Sequence, residues 1–212
     1  EDYEPSAIQR DRAINDFLSK KNIQFQSFKD QVLFHKDDIL KADATPYTIY
    51  TPYSKQWLAK FNTEKVEFYP SEKLLHHFIG AEKPIFSLEK IGFRKTNFQF
   101  KTPIIDRDIL KTYHETRNFP TTPTSEMSVH LRFGTISIRK LVVEASVLNE
   151  TYLKELIWRE FFMQILYHFP KVVHESFKRK YDQILWLYDE ENLKKWQEGK
   201  TGYPIVDAGM RE

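Results

Sequence analysis

From Tyr152 to Phe169 the chain runs through apolar and aromatic residues with little interruption. A run of that length and character folds as a helix buried on most of its sides. The interruptions gather in ELIWREFF, residues 155–162, where Glu155, Arg159 and Glu160 surround Trp158. At about 100° per residue, Tyr152, Glu155, Trp158, Arg159, Phe162 and Leu166 fall within roughly 120° of one another. A Glu155–Arg159 pair in that order contributes only about 0.2–0.5 kcal/mol when exposed. The opposite face carries Leu153, Ile157 and Phe161. A charged pair on a helix packed on both sides is costly unless partners satisfy it. The pattern therefore points to a site, because a flat aromatic between an acceptor and a cationic fork suits a nucleobase-like ligand beside a phosphate.

The remaining pattern reads as helix, then short strands, then helices. An amphipathic helix is expected over Ser6–Lys21, with Ile14, Phe17 and Leu18 on one side. NIQFQSF (22–28) alternates polar and apolar, and QVLFH (31–35) is a second short apolar run, so both are expected as strands. Prolines 46, 52, 70 and 84 punctuate short helical pieces at 54–61 and 71–79. Beyond about residue 100, helices are expected near 104–116, 134–148, 151–168, 190–199 and from 204 onward. Asp189 is a natural N-cap for the fourth, and Pro204 suits the first turn of the last.

Several chemistries are excluded by their absence of pattern. The chain has 212 residues and no cysteine, which removes disulfide frameworks and thiolate metal sites and favours an intracellular, cytoplasmic setting. No apolar run approaches the length of a membrane span, and no signal peptide opens the chain. Gly199-Lys200-Thr201 resembles the end of a phosphate loop, but position 194, where that loop needs glycine, is lysine. His76 and His77 are adjacent, so they point different ways, and neither HExxH nor GxSxG occurs. Phe177-Lys178-Arg179-Lys180-Tyr181 reads first as a solvated charge run. The formal net charge of +2 permits a local basic patch without demanding a nucleic-acid partner. Seventeen Phe, eleven Tyr and four Trp supply either a large core or stacking surfaces.

TSEMS (124–128) is a second constellation. Its three hydroxyls precede a helical turn. They serve equally well as an N-cap with local side-chain bonds or as a phosphate seat built from hydroxyls and free N–H groups.

Taken in order, Tyr113-x-x-x-Arg117-Asn118-Phe119-Pro120, TSEMSVHLRFGTISIR, ELIWREFF and WQEGKTGYPIVDAGMRE (196–212) resemble the DNA photolyase/cryptochrome family. Asp2-Tyr3-Glu4-Pro5 and YTPYSKQW (50–57) match the end of that family's antenna domain and the start of its connector. The resemblance implies an α+β fragment. Residues 1–37 would end an N-terminal α/β, Rossmann-like antenna domain, 38–95 would be a connector, and 96–212 would begin an all-α FAD-binding domain. The family's later flavin residues and inner tryptophans are not found in this chain.

The closest likeness is to class I cyclobutane pyrimidine dimer photolyases, which use light absorbed by reduced FAD to split the dimer by electron transfer. The resemblance assigns FAD to Tyr113, Thr124, Ser125, Glu126, Met127, Ser128 and Tyr152. Relatives often carry Leu at the position of Met127 and Trp at that of Tyr152. It assigns a flipped-out lesion in damaged DNA to Glu155 and Trp158, the DNA side to Arg117, Arg159 and Phe162, and outer electron transfer to Trp186. An antenna chromophore of folate or deazaflavin type fits the family, and the sequence selects neither. A monomer without membrane attachment is expected. The rival is a cryptochrome that signals through protein partners, against which the Glu155/Trp158 pair argues.

Overall fold

The computed structural model describes residues 1–77, 86–97 and 99–211. The chain divides into two compact units, Glu1–Pro170 and Lys171–Glu212.

Unit 1 is organised around its longest helix. Its helices are α1 (Pro5–Ser19), α2 (Tyr50–Thr63), α3 (Arg107–Thr116), α4 (Ser128–Phe133), α5 (Ile138–Leu148) and α6 (Glu150–His168). α2 and α5 pack on α6, and α3 packs on both α5 and α6. Leu110, Leu141, Ala145 and Ile157 meet there with no exposed surface. Removing a leucine from such a position typically costs about 2–5 kcal/mol. Asn149 alone separates α5 from α6. Its backbone N–H closes α5 on Ala145, and its Oδ1 accepts from the Tyr152 N–H at 3.1 Å to start α6. Its Nδ2 donates to the Lys111 carbonyl at 2.9 Å, which ties both helices to α3. α1 begins with Pro5 at its first turn, yet it buries only Ala7, and Ile14 and Phe17 are exposed.

The expected strands at 22–28 and 31–35 are absent. Among the described residues the sole β-type pairing is an isolated antiparallel bridge between Leu40 and Pro46. The reason is visible in where the backbone of 31–36 finds its hydrogen bonds. The Gln31 carbonyl accepts from Arg159 Nη1 at 2.7 Å. Leu33 and Phe34 N–H donate to Glu160 Oε2 and Oε1 at 2.7 and 3.1 Å. The His35 carbonyl accepts from Gln164 Nε2 at 3.2 Å, and that of Lys36 lies 2.9 Å from His168 Nε2. One helix therefore supplies, through side chains, partners that a neighbouring strand would have supplied. Val32, Leu33 and Phe34 are all buried, so the run reads as apolar without being part of a sheet.

Those contacts also correct the reading of α6. The face opposite Trp158 is not simply apolar. Glu160, 2% exposed, falls between Leu153 and Leu156 in angle, and Gln164, 4% exposed, between Leu153 and Ile157.

Unit 2 contains α7 (Glu190–Gln197) and α8 (Pro204–Arg211), packed on each other. Asp189 caps α7 by accepting from the Asn192 N–H at 3.0 Å. Pro204 is the first residue of α8. Between them Gly199 has φ +63, and a Cβ there would lie 2.9 Å from the Asp207 carbonyl oxygen. The Asp207 carboxylate accepts from the Thr201 N–H, the Thr201 hydroxyl and the Gly202 N–H at 2.7, 2.6 and 3.0 Å. So Gly199-Lys200-Thr201 builds a turn tied to α8. The piece expected as helical at 71–79 is a 3-10 turn over Ser71–His77, and its last two residues, with Pro84, lie outside the described residues.

Candidate functional site

α6 presents Glu155 and Trp158 one turn apart on its less buried side, and α3 ends beside them. Arg117, the residue after α3, places Nη1 2.5 Å from Glu155 Oε1. Both side chains keep about a third of their surface in solvent, 34% and 38%. The hydrogen bond to Glu155 holds the Arg117 guanidinium even more firmly protonated than usual. Arg117 also lies over the Tyr113 ring, 5.3 Å from its centroid. The expected Glu155–Arg159 pair is not formed among the described residues, because each partner is engaged elsewhere.

Trp158 is half-buried and stands among aromatics. Its ring lies parallel to Tyr50, with centroids 3.6 Å apart and planes 5° apart. Phe161 meets it edge-on at 5.7 Å, and Phe162 stacks on it with an offset, at 5.4 Å and 24°. Phe162 is exposed. The result is a partly exposed aromatic cluster next to an ion pair. A cavity of about 760 Å³ is lined instead by residues near the chain start and the end of α6, including Tyr3, Arg12, Lys36 and Tyr167. None of the candidate residues lines it.

Arg159 is placed differently from its expected DNA-facing role. Its guanidinium turns inward to the carbonyls of Gln31, at 2.7 Å, and Leu131, at 3.3 Å. Burial there lowers its affinity for its proton, while Glu160 opposes the shift. Arg159 is thus a strut between α6 and two other segments.

A second group forms where α3, α6 and the 124–128 segment meet. Tyr113 and Tyr152 meet edge-on at 4.9 Å. Ser125 Oγ lies 2.8 Å from the Tyr152 hydroxyl. Burial raises the pKa of both tyrosines, so their hydroxyls stay neutral. Met127 is buried, while Thr124, Glu126 and Ser128 are exposed. Glu126 takes a left-handed backbone, φ 52, and pairs with Lys101 at 2.5 Å. The N-cap reading of TSEMS does not hold. The cap position is Met127, and no side chain caps α4. Ser125 turns to the Tyr152 hydroxyl instead.

Trp186 belongs to unit 2, in a run from Ile184 to Tyr188 whose side chains are all exposed. Among the described residues no group of three or more His, Cys, Asp or Glu is placed to hold a metal, and no helix is long and apolar enough to cross a membrane.

Two residues escaped sequence reasoning. Glu160 looked like one more charge in ELIWREFF, but it is fully buried and also accepts from Trp57 Nε1 at 2.8 Å. Its signal was position: at 100° per residue it lies between Leu153 and Leu156 in angle. Tyr50 carried no signal beyond opening the YTPY stretch.

Comparison with known proteins shows two matched regions. Residues 1–71 match the family described as DNA photolyase, and residues 152–212 match the FAD binding domain of DNA photolyase. The chain is 31% identical over 225 residues to the deoxyribodipyrimidine photo-lyase of Alkalihalophilus pseudofirmus, a match covering 96% of this chain and 46% of that one. For the deoxyribodipyrimidine photo-lyase of Halobacterium salinarum the identity is 30% over 236 residues, covering 100% and 49%. The chain spans about half the length of the curated relatives it matches. Among solved structures, a bacterial class III photolyase from Agrobacterium tumefaciens superposes with a TM-score of 0.77 at 26% identity, covering 100% of this chain and 48% of that one. A cryptochrome from Synechocystis shares the fold, with a TM-score of 0.75 at 21% identity over 100% of this chain and 49% of that one.

Proposed function

This chain belongs to the DNA photolyase/cryptochrome family, and from that premise we propose that it forms about half of an enzyme that uses light to repair cyclobutane pyrimidine dimers in DNA. The observation that carries this reading is the juxtaposition of the Arg117–Glu155 pair with the Trp158 surface. A dimer unstacked from its duplex needs a flat face to stack on and polar groups for its exposed edges. Trp158 and Phe162 supply the face. Glu155 supplies an acceptor for the pyrimidine N–H groups, and Arg117 moves to a phosphate when the lesion takes its place at Glu155. Signalling through a protein partner is disfavoured, because the curated relatives reported above carry the photo-lyase name.

The donor set of the second group fits FAD. Thr124 and Ser128 present exposed hydroxyls, the first turn of α4 has no side-chain cap, and the Tyr113 and Tyr152 rings give a flat wall. Together these residues would hold the phosphates and ring edges of the cofactor, with Met127 packed beneath. Bound there, FAD would supply the electron that opens the cyclobutane ring. The protein's part is to hold the lesion and the cofactor in fixed positions and exclude water. Trp186, exposed in unit 2, would be the outer donor through which the cofactor is reduced. In this reading residues 1–37 end a Rossmann-like antenna domain, 38–95 connect it, and 96–212 open the helical domain. Arg159, bonded inward to the Gln31 and Leu131 carbonyls, supports the site from behind.

The test is a repair assay on the whole protein, with dimer-containing DNA kept in the dark or under near-UV and blue light. Dimers should disappear only in the light. A protein that carries FAD yet leaves the dimers intact under illumination overturns the reading.

A further inference from the structure

We propose that Tyr50 is a positioning residue for Trp158, holding the indole plane ready for a stacked pyrimidine. The proposal rests on the reading of Trp158 as the lesion's stacking wall. Tyr50 lies flat on one face of the indole at 3.6 Å and 5°. That spacing is direct contact between the two ring faces, so the indole cannot tilt toward Tyr50 without overlapping it.

Three further contacts fix Tyr50 itself. Its hydroxyl donates to the Lys154 carbonyl at 3.1 Å, one turn before Trp158 on the same helix. Phe161 meets Tyr50 edge-on at 5.9 Å, just as it meets Trp158 at 5.7 Å, so one buried ring braces both partners. Tyr50 opens α2, and α2 is tied to α6 where Trp57 Nε1 donates to the buried Glu160 at 2.8 Å. A ring held at its hydroxyl, its edge and its backbone is a backing plate. It leaves the indole few orientations to lose when a base arrives, and ordering that is already complete does not weaken binding. A bound pyrimidine would meet this stack on the side where Phe162 is already offset against the indole at 5.4 Å and 24°.

The experiment measures affinity of the whole protein for dimer-containing and undamaged duplexes of one sequence at one salt concentration. The variants are Tyr50→Phe, Tyr50→Leu, Tyr50→Ala, Trp158→Ala and the double alanine, each with a melting curve. Tyr50→Ala should lower the damaged-to-undamaged affinity ratio roughly 3- to 10-fold, the range a stacked aromatic pair corresponds to. Tyr50→Phe should stay within about twofold of the parent, since it keeps the plate and loses only the hydroxyl tether. Tyr50→Leu, which keeps bulk without a flat face, should behave like alanine while melting close to the parent. In the Trp158→Ala background, Tyr50→Ala should add nothing, because its effect passes through the indole. Full additivity, a parental ratio in Tyr50→Ala, or rescue by leucine as complete as by phenylalanine overturns the proposal while leaving the lesion-wall reading intact. A parental ratio in Trp158→Ala overturns both.

Discussion

Arg117 and Glu155 hold each other across the junction of α3 and α6, with Nη1 and Oε1 2.5 Å apart. Each is wanted for something else in the proposed function, one for a phosphate and one for the lesion. An ion pair with about a third of each side chain exposed contributes only about 0–1 kcal/mol, so a ligand can part it at little cost. Glu155→Ala should therefore lower stability by under about 1 kcal/mol, while damaged-DNA affinity or repair yield falls clearly. Urea unfolding and a repair assay on the same preparation decide it. A large stability loss with unchanged repair would make the pair structural.

Trp158→Ala in the whole protein should keep its flavin and lose less stability than the roughly 3–5 kcal/mol typical of a tryptophan taken from a tight core, because Trp158 is only half-buried. Losing a stacking face worth about 1–3 kcal/mol per base should weaken binding to dimer-containing DNA roughly 5- to 150-fold. Undamaged DNA, held mainly through phosphates, should be far less affected. Parallel titrations at fixed salt with a thermal melt check this, and loss of flavin or of the fold would reassign Trp158 to the core.

Glu160 makes stability depend on pH. Burial raises its pKa from 4.5 to about 7, overcoming the Leu33, Trp57 and Phe34 donors and Arg159, which favour the ionised form. The sign follows from proton counting. Between about pH 4.5 and 7 the folded state holds a proton that the unfolded state has lost, so raising the pH through this window removes stability. The contribution is present in full below the unfolded pKa and declines by an amount on the order of 3 kcal/mol as pH passes the folded one. Urea midpoints from pH 5 to 8 should fall with pH and flatten in Glu160→Gln. That variant should also be less stable near pH 5, because an amide nitrogen cannot accept from the N–H groups that meet both carboxyl oxygens. An unchanged slope in the glutamine variant would place the titration elsewhere.

Trp186→Phe in the whole protein should slow photoreduction of the flavin and leave dimer repair by pre-reduced enzyme close to normal. Transient absorption after a light pulse reads the first quantity and a single-turnover repair assay the second. Equal photoreduction rates would make Trp186 an ordinary surface residue.

What the sequence reveals and conceals follows from the kind of signal each residue carries. Period and capping chemistry are local, so Asp189, Pro204 and the long aromatic helix are legible to within a few residues. QVLFH misleads because an apolar run reports burial without reporting who receives its N–H groups, and here the receivers are side chains about 127 positions away. Glu155 and Trp158 stand out as polar and flat on one helix face. Glu160, beside them in sequence, faces the other way, and only its angle on the helix distinguishes it. Tyr50 lies 108 positions before Trp158, and no periodic pattern links them.

The carboxylate of Glu160 has a consequence for the order in which the chain assembles. α5 and α6 are joined by a single residue, so they can meet as soon as both exist. The bonds from Leu33 and Phe34 to Glu160 close loops of 127 and 126 residues. Contacts so distant along the chain require much larger loop closures than local ones and tend to form late. Until the 31–36 segment arrives, the carboxylate can stay hydrated on a partly docked helix, and its dehydration is deferred to the closing step. Substitutions at Glu160 and Trp57 should then speed unfolding and leave the folding rate nearly untouched, with φ-values near zero, whereas Ala145 and Ile157 should give larger ones. This buried carboxyl would thus act as a latch on a body already built, governing how long it lasts more than how fast it forms.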